Sequence, residues 1–234
     1  MTEPVPALVT LHLWRVERSG VPGALLRMAR DRGRVRRTPG VRFAKLLGTG
    51  DGRTFTARDA DPLRWGLLAT WTSEQAARAF ERDSPVAKGW DACAVERYRV
   101  DLRPVASHGQ WSRRMPFGEP VPVRHDGPVA ALTRARLRPG AAREFWSAVP
   151  PVSTDLRERD GLRAAVGIGE APIGLQGTFS LWESDRAVRE FARGAAHLAV
   201  VARTGPERWY SEELFARFAV MGSAGTLDGV NPLG

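Results

Sequence analysis

Four histidines and one cysteine carry most of the metal-binding and acid–base potential of this 234-residue chain. The histidines are His12, His108, His125 and His197. No two of them have the His-x-x-x-His spacing, and no carboxylate-rich loop stands beside them. A zinc or non-haem iron centre would therefore have to be assembled from residues far apart in the chain. There is no Gly-x-Ser-x-Gly elbow, which removes the α/β-hydrolase reading. The glycine-rich stretches GTGDG (48–52) and GIG (167–169) lack the spacing of a dinucleotide or phosphate loop and read as tight turns. Cys93 stands alone, which excludes an internal disulfide and any multi-cysteine zinc or iron–sulfur site. It could be a thiolate ligand, but a lone cysteine is more often a small buried apolar residue.

Among the histidines, His12 lies mid-strand beside Trp14 and reads as buried and hydrogen-bonded. His108 and His125 fall in a proline-rich stretch and read as solvated. His197 sits in the apolar helical segment AAHLAVVA. Most histidines in such places are satisfied core residues. A neutral imidazole facing an apolar cavity is also what a haem iron takes on its proximal side, and the residues alone leave both readings open. Aromatic side chains gather in the same part of the chain, namely Phe145, Trp146, Phe179, Trp182, Phe191, Trp209 and Tyr210. They suit a core, and equally a cavity for a flat cofactor or a long apolar substrate.

The elements that must position these residues are written twice. GLLATWTSEQAARAF (66–80) and GTFSLWESDRAVREF (177–191) align so that Gly66 meets Gly177, Trp71 meets Trp182, Ser73 meets Ser184, Arg78 meets Arg189 and Phe80 meets Phe191. The same alignment sets His197 against Val86. LVTLHLWRV (8–16) resembles PVAALTRARL (128–137), and ERYRVDL (96–102) resembles ARFAVMG (216–222), pairing Arg97 with Arg217. The first copy reads as a strand at 8–16, a helix at 22–37, strands at 41–47 and 64–71, a helix through Arg82 begun by a Thr72/Gln75 capping box, and a strand at 95–102. The second reads as a strand at 129–137, a helix from Pro139 interrupted at Pro150-Pro151, strands at 162–168 and 177–182, helices at 184–193 and 195–203, and a strand at 214–221. Each copy has the β-α-β-β-α-β order of a ferredoxin-like unit. The fold class expected is α+β, a tandem duplication with two antiparallel sheets packed against each other. The expected domains are residues 1–103, a Pro-rich linker at 104–128, a second repeat at 129–222, and a loose tail at 223–234.

Composition narrows the function classes. The net charge is +9, and of the 35 basic residues all but Lys45 and Lys88 are arginine. The arginines are dispersed, apart from a cluster at Arg30, Arg32, Arg34, Arg36 and Arg37 that closes a helix, where cations suit the dipole. No nucleic-acid-binding module is recognisable, so no nucleic-acid partner is expected. No apolar run reaches the roughly 18 residues of a membrane span, and the first residues lack a signal peptide, so a cytoplasmic protein is expected.

Several stretches together resemble one family. FAKLLGTGDGRTFT (43–56), RWGLLATW (64–71), REFWSAVPP (143–151), VGIGEAPIGLQGTFSLW (166–182), FARGAAH (191–197) and RWYSEELFARF (208–218) look like the spheroidene monooxygenases of carotenoid biosynthesis, in the same motif order. The resemblance implies a dimeric α+β barrel type of fold within one chain. It also implies a haem b cofactor, dioxygen as co-substrate and oxidation of an apolar carotenoid. Electrons would come from an external donor such as a ferredoxin and its reductase, and the substrate could be reached at a membrane surface. On this resemblance His197 is the axial iron ligand; Arg193, four residues earlier and so on the same helical face, is either a partner for a haem propionate or a surface arginine. Gln176 is either a distal hydrogen-bond donor or the cap of a sheet edge, and among the clustered aromatics Trp146, Phe179 and Trp182 are the candidates to line a substrate pocket rather than the core. A cofactor-free oxygenase, a haem-dependent dehydratase and a non-catalytic haem- or lipid-binding protein remain as rivals, because one fold hosts many functions.

Overall fold

The computed structural model describes residues 3–50, 59–138, 140–170, 177–204 and 209–234. Its first half runs β1 (Leu8–Val16), α1 (Val21–Arg36), β2 (Val41–Gly50), β3 (Ala60–Trp71), α2 (Glu74–Asp83), α3 (Pro85–Cys93) and β4 (Ala94–Gly109). Its second half runs β5 (Val129–Leu137), α4 (Ala142–Glu158), β6 (Leu162–Gly169), β7 (Gly177–Trp182), α5 (Asp185–Ala192), α6 (Ala195–Thr204) and β8 (Tyr210–Gly225). The order of elements is the same in both.

The strands form one closed barrel in the order β1-β3-β2-β6-β7-β5-β8-β4, with every neighbouring pair antiparallel. A barrel within one chain was expected, with its two sheets packed face to face, and the barrel is present. The halves, however, join edge to edge, through a short β2–β6 seam at Gly48–Gly169 and a long β4–β8 seam from Tyr98–Gly225 to Gly109–Leu214. Closure removes the unpaired edges that two open sheets would have left. It also explains why β4 and β8 are each 16 residues long. Each strand must pair with its own half and then continue across the other.

Alternation decides what each strand residue meets. Val9, Leu11 and Leu13 of β1 point into the barrel, where they join Val100, Leu102, Leu132, Phe179, Leu181 and Phe218 in one core. Leu8, Trp14 and Val16 point outward, under the helices of the first half, with Met28, Trp65, Trp71, Phe80, Val86 and Trp90. Because both faces are covered, β1 is buried almost throughout, the pattern that face-covered strands require. One barrel end is closed by the turn at Trp111 and by buried charge. Glu170 accepts from Trp111 Nε1 at 2.8 Å, Lys45 Nζ at 2.6 Å and Arg134 at 3.0 Å, and Arg134 also binds Glu212. Arg134 is 1% exposed, so these carboxylates offset the cost of burying its charge.

Several boundaries differ from the sequence reading, each for a local reason. β4 continues past Arg103 to Gly109 because β8 pairs with it, so His108 is a strand residue opposite Phe215 rather than part of a free linker. The cap of α2 is Ser73, whose Oγ accepts from Ala76 N at 3.1 Å, not Thr72. α4 runs unbroken through Pro150-Pro151. The tail is anchored: β8 extends to Gly225, and Leu227, 7% exposed, bridges back to Val230. The pairing of Arg97 with Arg217 is out of register. Arg97 lies opposite Trp14 on β1, whereas Arg217 lies opposite Ala131 on β5. The first-half residue in Arg217's place is Asp101, opposite Thr10.

Candidate functional site

A cavity of about 330 Å³ lies in the second half, between the outer face of β5 and β7 and the helices α4, α5 and α6. The sequence builds it in three steps. On β5 and β7 most of the outward positions are small, namely Ala131, Thr133, Ala135, Thr178 and Ser180, with Leu137 and Trp182 as the large ones at the strand ends. Gly177 lets β7 approach β5 closely, since a Cβ there would stand 2.3 Å from the Thr133 carbonyl oxygen. α5 is started by Ser184, whose Oγ accepts from Ala187 N at 3.3 Å, and ends at Ala192. Its Val188 and Phe191 then form one wall with Trp182, whose ring lies 5.4 Å from that of Phe191.

His197, in α6, closes the cavity from the helical side. Its ring sits 5.2 Å from Phe191, and its Nδ1 lies 3.1 Å from the carbonyl oxygen of Ala192. A carbonyl can only accept, so Nδ1 carries the proton and donates. The tautomer is thereby fixed, with the lone pair on Nε2, for which no partner occurs among the described residues. Burial pushes the imidazole pKa below its ordinary value, more than the Ala192 carbonyl and Asp155 raise it. The group is a neutral imidazole at neutral pH. Opposite, Trp182 Nε1 donates to Ser180 Oγ at 2.9 Å, which leaves the Ser180 hydroxyl hydrogen available to the cavity. Tyr210 lies at the rim with its pKa pushed up to about 12 by burial and by Glu213, so it is always a donor.

The equivalent space in the first half is solid. β1 pairs Leu8 with Trp71 and β5 pairs Val129 with Trp182, which fixes the correspondence along both strands. His12 then stands where Thr133 does, Trp14 where Ala135 does, Leu67 where Thr178 does and Ala69 where Ser180 does. On the helices, Val86 matches His197 and Trp90 matches Val201. Trp14 and Trp90 stack at 5.4 Å, Trp65 lies 6.4 Å from Trp90, and all three are at most 2% exposed. Sequence reasoning missed Thr133, Ala135, Thr178, Ser180 and Tyr210. Thr133, Ala135 and Thr178 stand where the first half carries His12, Trp14 and Leu67, a contrast that shows only once strand pairing fixes the register, whereas Ser180, opposite number of Ala69, and Tyr210 carry no such signal.

The structure brings His197 and Trp182 together in one cavity. It sends two other expected residues elsewhere. Phe179 points into the barrel core, because it is three residues from Trp182 on a single strand and so on the opposite face. Arg193 caps the end of α5, exposed, and lines a separate groove with Arg186, Arg189 and Arg217. Gly194 interrupts the helix, so the four-residue spacing to His197 does not place the two on one face. Trp146 belongs to α4, but its side chain lies outside the described residues, as does Gln176 entirely.

Among the described residues no cluster of three or more His, Cys, Asp or Glu could hold a metal ion. A metal at His197 would have to bring most of its own ligands, as a haem does. The donor set fits that group: a neutral imidazole, its other nitrogen fixed by a backbone carbonyl, facing an apolar aromatic-walled space.

No family model matches the chain. The spheroidene monooxygenase of Cereibacter sphaeroides is 36% identical over 198 residues, covering 84% of this chain and 61% of that protein's length. That of Rhodobacter capsulatus is 36% identical over 233 residues, covering 97% of this chain and 95% of the relative. In fold, a crystal structure of an aldoxime dehydratase superposes with a TM-score of 0.59 at 12% identity, covering 91% of this chain and 80% of the other.

Proposed function

This chain belongs to the spheroidene monooxygenase family, a family of oxygenases, and we propose that it is a haem-dependent oxygenase that oxidises an apolar carotenoid in the second-half cavity. The observation that carries the reading is the fixed tautomer of His197 at the wall of an apolar hollow that the first half lacks. His197 Nε2 would hold the iron, with Ala192 keeping the ring oriented. A haem bound there would supply the binding and reductive activation of dioxygen. The protein's own contribution is positional. Trp182, Phe191, Leu156 and Val188 accept hydrocarbon and exclude water. Ser180, with its rotor set by Trp182, and the hydroxyls of Thr133 and Thr178 offer the hydrogen bonds that an oxygen atom at the reacting end would need.

Incorporating one atom of dioxygen and reducing the other to water takes two electrons and two protons, so a separate donor, such as a ferredoxin and its reductase, completes the reaction. The substrate is drawn from a membrane by an enzyme working on its cytoplasmic side. The repeated element order reflects tandem duplication, after which the second copy was emptied for function.

Absorption spectroscopy tests this directly. The protein produced with haem precursor should show a Soret band that His197→Ala abolishes. A wild-type protein with no Soret band would refute haem dependence, and a band kept by His197→Ala would refute the ligand.

A further inference from the structure

The outer face of α6 is apolar although no described residue covers it. Over Phe191–Pro206 the chain has no carboxylate, and its only charges are Arg193 and Arg203. Leu198 is 50% exposed and Val201 47% exposed, and Ala195, Ala199 and Ala202 are exposed beside them. The inner side is apolar as well, since Val200 and Val201 line the cavity with His197. A helix apolar all round is at home only where apolar matter meets both sides. The matching helix of the first half, α3, behaves otherwise. Lys88 and Asp91 stand where Ala199 and Ala202 do, and Ala87, in the place of Leu198, is 3% exposed.

Three features bear on what covers this face. The bare side chains rim the cavity itself: Val201 is part of its lining, and Phe215, 37% exposed, is another lining residue. Arginines flank the helix. Arg193 precedes it and Arg203 ends it, with Arg186 and Arg189 on α5; Arg203 pairs with Glu144, Arg186 with Glu190 and Arg189 with Asp185, and these three guanidinium side chains stay 43%, 85% and 57% exposed, open to a second anion. No helix among the described residues is long and apolar enough to cross a membrane. A short apolar helix edged by cations, over the mouth of an apolar cavity, matches the chemistry of an anionic lipid surface. Its apolar side chains enter the acyl boundary and its guanidinium groups meet phosphates.

We infer that α6 is a membrane-docking helix that sets the cavity mouth against an anionic bilayer, so that a lipid-dissolved substrate enters without crossing water. This rests on the proposed function only for the cargo, because the docking itself needs neither haem nor substrate.

Vesicle co-sedimentation tests it. The intact protein should bind phosphatidylglycerol vesicles at least tenfold more tightly than phosphatidylcholine vesicles, and added salt should weaken the binding. Leu198→Asp should lower binding at least tenfold with an unchanged melting temperature, and Leu198→Trp should raise it. Leu26→Asp, at a 65% exposed site on α1, should leave it unchanged. Equal vesicle binding by Leu198→Asp and wild type would overturn the inference. So would a lipid-free dimer that Leu198→Asp dissociates, which would show a second copy covering the face. A failed Soret test with intact vesicle binding would overturn the proposed function and leave the docking face standing.

Discussion

The two halves share a scaffold and differ in what lies beneath their helices. In the first, Trp14, Trp65 and Trp90 fill the space between barrel wall and helices. In the second, the corresponding layer holds Ala135 and Val201 around a cavity of about 330 Å³. The features that set the strand–helix joint are conserved between them. Trp71 sits 5.3 Å from Phe80, Trp182 sits 5.4 Å from Phe191, and a serine caps the helix that follows each. One half thus measures what the fold needs, and departures from it in the other mark the candidate site.

The largest effect should come from erasing the difference. Ala135→Trp places in the hollow half the side chain that Trp14 supplies in the solid one. The fold should survive, with stability within about 1–2 kcal/mol of the parent because a void is being filled. Haem uptake, followed by the Soret band, should fall at least tenfold. Unchanged uptake would show that the occupied space lies elsewhere.

The converse change hollows the solid half. Trp90 is 0% exposed, and Trp90→Ala should cost about 3–5 kcal/mol, read from urea unfolding. Val201→Ala, at the matching position, is half exposed and removes less, so it should cost under about 1 kcal/mol. Equal losses would mean that the second half is packed as tightly as the first, contrary to the cavity.

The contrast was only partly legible in the chain. His197 against Val86 could be read directly, because the helices align without a gap. Trp14 against Ala135 could not, because loops of different length shift the strands relative to the helices, and only the pairing of Leu8 with Trp71 and of Val129 with Trp182 fixes the register. Aromatic composition alone put Phe179 beside Trp182, although strand parity separates them. The barrel was implied by the family resemblance, but its edge-to-edge closure left no mark in the strands themselves. The β2–β6 seam involves only Gly48–Gly50 and Gly167–Gly169, too few residues to leave a pattern.

Acid should distinguish the two histidines. His12 is buried, with its pKa lowered to about 3 by burial and then by Arg99 and Arg78. Its unfolded form takes up a proton below about 6.5 and its folded form does not, so the unfolded state binds more protons and stability falls as pH drops from about 6.5 toward 3. At pH 5 the loss from this residue is about 2 kcal/mol. Glu81, 3.9 Å away, opposes it, since burial raises its pKa and relieves a penalty as pH falls. His12→Leu should therefore flatten the acid limb of stability against pH. His197→Leu should act in the same direction but by less, because that ring is only half-buried.

The smallest effects test whether the shared frame is one unit. Ser73→Ala and Ser184→Ala each remove the hydroxyl that accepts from the third residue on, at 3.1 and 3.3 Å, and each should cost about 1 kcal/mol. Because both halves contribute strands to one closed barrel, the two losses should appear in a single unfolding transition, alike to within a few tenths of a kcal/mol. The hollow then weakens only the helical layer. If Ser184→Ala instead shifted an earlier, separate transition seen by a probe near Trp182 and not by one near Trp71, the second half would be opening on its own. The cavity would then cost the barrel its cooperativity as well as packing beneath three helices.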